Sequence, residues 1–320
     1  MHSIHTERHM HKHIILITAL AAILPSCTAP KDELVPSTGA KMDLTLKITS
    51  VSPATKTYIE ERTEGGETTY IPKWAKGDKI GLFLDSWSSN AKPVLEMENS
   101  SSNGSDASFQ GVLRDIPDGS HTIYTFYPAS ALIGTEKDNK LSFSIPEVQH
   151  IGNSFDPAAD IVIGKGYRIV AKTDSPEANI NNIQFSRILA TVMIDVANKS
   201  KASLDGEKIR KITLTSNSAL TGTIQWDYSN EGISVISASK SVTAELGTPI
   251  PIDGKTPAYV LINPVTLEKG SSLVATLETD KHRITKTISS LPQALSFPGN
   301  KVSALKLNIT DTDSTVEGPE

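Results

Sequence analysis

The sequence predicts an all-β protein, and three features carry the prediction. Short apolar-polar alternations recur along the chain, turn residues separate them, and no stretch beyond the first thirty residues holds a sustained helical stripe. Met42, Leu44, Leu46 and Ile48 alternate with Asp43, Thr45, Lys47 and Thr49, the period of a strand with one buried face. Similar runs stand at Lys79 to Leu84, His121 to Tyr127, Lys211 to Thr215 and Ala258 to Ile262. Their regular spacing between Gly, Pro, Asn and Asp points to β-sandwiches. At roughly 100 to 200 residues per domain, 320 residues suggest two.

Residues 1–26 read as a lipoprotein signal peptide. Arg8 and Lys12 give a basic start, eleven uncharged and mostly apolar residues run from Ile14 to Leu24, and L-P-S-C closes the segment at Cys27. A bilayer core needs roughly twenty helical residues, so this run is too short to span it. A cysteine directly after a small residue is the pattern of a lipobox, whose thiol becomes linked to diacylglycerol; the alternative is ordinary cleavage beside a chance cysteine. Cys27 is the only cysteine of the chain, so a disulfide within the chain is impossible. Five of the eight histidines (His2, His5, His9, His11 and His13) fall in the leader and leave with it. Residues 27–40 form a linker, in which Lys31, Asp32 and Glu33 resemble a short signal for the outer face of the outer membrane.

Past the leader, 29 basic residues stand against 35 acidic ones, a net charge of about minus six. That balance offers no basic field for nucleic acid and no polybasic membrane patch. An N-terminal β-sandwich is expected over residues 41–175 and a C-terminal one over 176–310. The polar, proline-broken run Ala171 to Asn179 separates them, and a disordered tail follows over 311–320. Ile183 to Val196 is the longest strand expected. Its apolar parity switches near Arg187, which requires a β-bulge or a change of buried face. A hairpin turns at Thr279 to His282, and Val302 to Ile309 is expected as the final strand.

Catalytic signatures are lacking. The chain holds no Gly-rich phosphate loop, G-x-S-x-G elbow, H-E-x-x-H or paired C-x-x-C, so no enzyme, cofactor or metal centre is expected. His150, Asp156 and Asp160 match no regular metal loop and read as surface-loop residues. Asp78 and Asp160 precede apolar runs, where an aspartate commonly closes a turn, and this reading is preferred to a glycosidase pair. Trp74, Trp87 and Trp226 could stack on sugar rings, although sandwich core or junction packing is the commoner use of such residues.

An ordered set of segments then carries a family likeness. The lipobox and the early alternating strand are followed by A-T-K-T (Ala54 to Thr57), W-A-K-G-D-K-I-G-L-F (Trp74 to Phe83), F-Y-P (Phe126 to Pro128), F-S-R-I-L-A (Phe185 to Ala190), L-I-N-P (Leu261 to Pro264) and F-P-G-N-K (Phe297 to Lys301). Together they resemble the fimbrillin family of type V pilus subunits and anchors. The resemblance implies two tandem transthyretin-like sandwiches, export as an outer-membrane lipoprotein, and assembly with other fimbrillin subunits by strand complementation. It also implies proteolysis after a basic residue in the loop following the first strand. In this chain that residue is Arg62, in E-E-R-T-E-G-G-E, with Lys56 as the second choice. The strand removed would carry Met42, Leu44, Leu46 and Ile48. A C-terminal donor segment should show one alternating apolar face, whereas here the parity breaks between Ala304 and Leu305. Tip, anchor and stand-alone roles therefore stay open beside the stalk. The competing function is a surface glycan-binding lipoprotein, and a host or bacterial surface receptor is a possible partner of either.

Overall fold

A computed structural model describes residues 39–317, apart from 51–57, 65–66, 86–93, 102–103, 105, 136–139, 153, 201–203 and 205. Cys27, Lys56 and Trp87 lie outside the described residues. The chain is all-β, as the alternations predict. Its strands begin with β1 (Lys41–Ser50), β2 (Tyr58–Glu64), β3 (Glu67–Lys73), β4 (Lys79–Leu84), β5 (Leu95–Glu98), β6 (Ala107–Pro117) and β7 (Gly119–Tyr127). A 3-10 turn at Ala129–Ala131 precedes β8 (Leu132–Thr135), β9 (Lys140–Ile145) and β10 (Val148–Ile151). A second, at Pro157–Ala159, precedes β11 (Val162–Ala171), β12 (Glu177–Ile180), β13 (Phe185–Arg187) and β14 (Ala190–Asn198). There follow β15 (Lys208–Ser216), β16 (Thr221–Asp227), β17 (Gly232–Ser239), β18 (Ser241–Pro251), β19 (Ala258–Ile262) and β20 (Val265–Leu267). The last are β21 (Leu273–Thr279), β22 (His282–Ile288), β23 (Leu295–Phe297), β24 (Val302–Ile309) and β25 (Ser314–Glu317).

Three apolar cores result. The first lies between the sheet β12-β1-β6 and the sheet β13-β11-β7-β4-β5, and gathers Leu44, Leu46, Ile48, Trp74, Phe109 and Phe185. The second lies between β19-β14-β24 and β10-β18-β15-β21-β22-β25. A third gathers Phe83, Phe126, Phe143, Phe155, Ile188, Leu189, Tyr259 and Leu261. It is covered by the sheet β17-β16-β9-β8, in which Phe143 of β9 faces Ile224 of β16. The third core explains two nearly continuous apolar runs. In β4, Ile80, Leu82 and Leu84 face the first core while Phe83 faces the third. In β19, Ala258, Val260 and Ile262 face the second while Tyr259 and Leu261 face the third. Strands buried on both sides lose polar alternation because neither face meets water. Residues 35–320 form one compact unit.

Four expectations meet a different arrangement. Ile183 to Val196 is not one strand: β13 pairs with β11, and β14 pairs with β19 and β24. The parity switch at Arg187 is the point where the chain passes from one sheet to another, so the buried face changes without a bulge. Downstream of the Ala171 to Asn179 run, β12 still pairs in parallel with β1, and the change of sheets falls between Arg187 and Ala190. The stretch around Arg62 is not a loop, because β2 and β3 form a two-stranded hairpin with Arg62 opposite Thr69. Finally, Val302 to Ile309 is not the last strand. Asp313 accepts from the Thr310 backbone N–H at 2.7 Å and from Lys286 Nζ at 3.2 Å, closing a turn that delivers β25 to the edge beside β22.

Candidate functional site

The segment singled out by the alternation is β1, and its seat is central. It runs between β12, which is parallel, and β6, which is antiparallel, so it alone joins those two strands. Leu44, Leu46 and Ile48 are fully buried, and Met42 packs partly against the same core. Burying three such side chains contributes about 5 to 9 kcal/mol gross. The polar face is held by exposed pairs, Lys47 with Glu177 at 3.1 Å and Asp43 with Arg114 at 3.0 Å, which add little in water.

Both ends of β1 are pinned. Met42 faces Ile116 while Leu44 faces Leu113, so β6 carries one extra residue opposite Asp43. Asp115 takes a positive φ of 55° at this bulge, and its N–H donates to Asp43 Oδ1 at 3.2 Å. Met42 thereby keeps the face of Leu44 despite the register slip. At the other end, buried Ser50 donates through Oγ to Ile183 O at 3.0 Å, and Ile183 N donates to Thr49 O at 2.9 Å. After β1 in the chain, β2 and β3 pair antiparallel, with Arg62 opposite Thr69.

The remaining candidates have structural duties. Trp74 is buried and meets Phe109, Tyr127 and Phe185 edge to face at 5.4 to 5.5 Å, which makes it the centre of the first core and removes it as a sugar platform. Asp78 accepts from the Ala75 backbone N–H at 2.7 Å and from Tyr127 Oη at 3.3 Å, the turn-closing use expected of it. Burial pushes the Tyr127 phenol far above its ordinary range, and the carboxylates of Asp78 and Asp160 add to the effect. Asp160 is fully buried and takes a forked pair of bonds from Arg187, one of them Nη2 to Oδ2 at 2.8 Å. The Arg187 guanidinium also sits 4.7 Å from the Phe155 ring centre. Asp156 caps the 3-10 turn through the Ala158 N–H and accepts from the His150 N–H. His150, Asp156 and Asp160 thus do not converge, and no metal-binding group of three occurs among the described residues. Trp226 differs from Trp74: it is half-buried and lines a cleft with Tyr124 and Tyr228. Neither tyrosine stood out in the sequence, because the cleft joins β7, β11 and β16, which are far apart along the chain.

Comparison with known proteins follows the same architecture. A crystal structure of a candidate cell adhesion protein from Bacteroides uniformis superposes with a TM-score of 0.50 at 14% identity, covering 88% of this chain and 98% of that one. A candidate cell adhesion protein from Bacteroides fragilis gives 0.52 at 10% identity, covering 87% and 98%. At such identities the likeness shows a shared fold. No curated protein sequence matches significantly. The profile described as "Fimbrillin-like" matches residues 62–319, most of the chain. The chain belongs to the fimbrillin-like family.

Proposed function

We propose that this chain is a structural and adhesive fimbrial subunit, exported as a lipoprotein through Cys27 and assembled at the cell surface by donor-strand exchange after loss of β1. The carrying observation is the seat of β1. A strand that is central in its sheet and fully buried through Leu44, Leu46 and Ile48 leaves two open edges and an apolar groove when it departs. An extended segment from another subunit, with apolar residues at three alternate positions, fits that vacancy. Proteolysis after Arg62, within the paired β2 and β3, would cut the link that ties β1 to the rest of the chain. At the other end, β24 is parallel to β14 with Leu305, Leu307 and Ile309 buried, and β25 is paired with β22. Both C-terminal strands serve this chain's own sheets, which favours a receiving role over a donating one. The tandem transthyretin-like reading belongs to the same proposal.

Limited trypsin digestion of the purified chain, followed by a labelled peptide spanning residues 41–50, tests the exchange. Cut chain is expected to take up the peptide and to refuse one carrying Leu46→Asp. Cut chain that neither releases its own β1 nor accepts the peptide contradicts the proposal. Glycan binding is the second reading; it loses Trp74 to the core and retains Trp226 at a surface cleft.

A further inference from the structure

Away from β1, one concavity combines aromatic rings with both donors and acceptors. Tyr124, Trp226 and Tyr228 line it, with Lys165, Ser186 and Glu231 exposed around them. It offers about 100 Å³ to a water-sized solute and is partly open to solvent. The rings form one connected surface. Tyr124 and Tyr228 lie 4.4 Å apart, Trp226 meets Tyr228 edge to face at 6.3 Å, and Tyr124 stacks on Phe83 at 5.1 Å. Tyr228 Oη donates to Thr125 O at 2.9 Å, so the rings are fixed to the third core. Burial raises both phenols above their ordinary values, more strongly for Tyr228.

The backbone around the cleft departs from regular strand geometry at two places. The register of β11 against β7 slips between Gly164 and Tyr167, a bulge that carries Lys165 to the rim. A side chain on either side of Lys165 would be crowded. A Cβ at Gly164 would lie 2.0 Å from Thr125 Oγ1, and one at Gly166 would lie 2.9 Å from the Tyr124 ring. Across the cleft, Glu231 holds a positive φ of 53°, an uncommon conformation for a glutamate. A bulge and a strained residue thus bring one ammonium and one carboxylate to the same aromatic surface.

We propose that this cleft binds a sugar ring of a neutral glycan. The C–H face of a pyranose stacks on aromatic rings, while its hydroxyls need donors and acceptors at the edge of the ring. Lys165 donates, Glu231 accepts, and Ser186 does either. Their opposite charges cancel, which disfavours selection of an ionic ligand. The inference rests on the adhesive reading of the chain and not on strand exchange, so each can fail alone.

Saturation-transfer NMR on the full chain tests it, with the methyl β-glycosides of glucose, galactose and N-acetylglucosamine, and with methyl glucuronide as the charged control. Transfer to ring C–H protons of at least one neutral glycoside is expected. The Lys165→Ala/Glu231→Gln double variant alters only exposed side chains and should weaken transfer at least fivefold with an unchanged near-ultraviolet spectrum. Trp226→Ala should abolish transfer, and if that variant unfolds the double variant decides. No transfer to any neutral glycoside, transfer to the glucuronide alone, or transfer that survives the double variant overturns the proposal.

Discussion

Asp160 and Arg187 show how a residue can mislead when read without its partner. In the sequence Asp160 offers a carboxylate near a histidine; in the fold it is fully buried and answers one guanidinium that also covers Phe155. Removing one member leaves a desolvated charge, so Asp160→Ala should cost about 3 to 5 kcal/mol in urea unfolding. Lys47→Ala, at an exposed pair, should cost less than about 1 kcal/mol. Tyr228 gives a second test. Its folded pKa is raised by burial, so the fold favours the neutral phenol. That contribution is complete below the unfolded value near 10 and is lost as pH rises past it. The urea midpoint should therefore fall as pH rises above about 10, and Tyr228→Phe should flatten the decline. A midpoint equally steep in the variant would remove Tyr228 as a cause. The turn role of Asp78 was legible in sequence because it depends on neighbours within three residues. The pairing of Asp160 with Arg187 was not, since it depends on a contact 27 residues away.

At the scale of elements, local period was a good guide and length was a poor one. Lys79 to Leu84 and Ala258 to Ile262 coincide with β4 and β19, and the turn at Thr279 to His282 joins β21 to β22. There Thr279 Oγ1 accepts from the His282 N–H at 2.7 Å and donates to buried Glu207, a clasp assembled from distant segments that no local pattern announces. The Ile183 to Val196 run failed as one strand because both pieces are apolar, and periodicity alone does not say which sheet a strand joins. Around Arg62 the pairing of β2 with β3 went unseen because the E-E-R-T-E-G-G-E stretch shows no apolar alternation in sequence. For β1, Leu46→Ala should destabilise the chain by about 2 to 5 kcal/mol in urea unfolding. An equal loss from Thr45→Ala, on the half-buried opposite face, would count against the buried stripe as the source of its hold.

At the scale of the molecule, the third core was the least legible feature. Its covering sheet takes β8 and β9 from the first half of the chain and β16 and β17 from the second, so no contiguous stretch encodes it. Two of its aromatic members, Phe83 and Tyr259, interrupt the alternation of β4 and β19, and the others lie in separate segments. Phe143, fully buried and 5.5 Å from Phe126, sits where the halves meet. Unfolding should consequently be one cooperative transition, with far- and near-ultraviolet signals coinciding, and Phe143→Ala should shift both together by about 3 to 5 kcal/mol. Two separated transitions would contradict the shared core.

The assembly proposal joins these scales, because removing one strand exposes a groove prepared by a whole sandwich. Intact mass and N-terminal sequencing of the protein recovered from its native cell surface test it most directly. Strand exchange predicts a chain that begins at Thr63, lacks β1 and runs in multimers that resist mild denaturation. A monomeric chain that begins at an acylated Cys27 and retains β1 would contradict it.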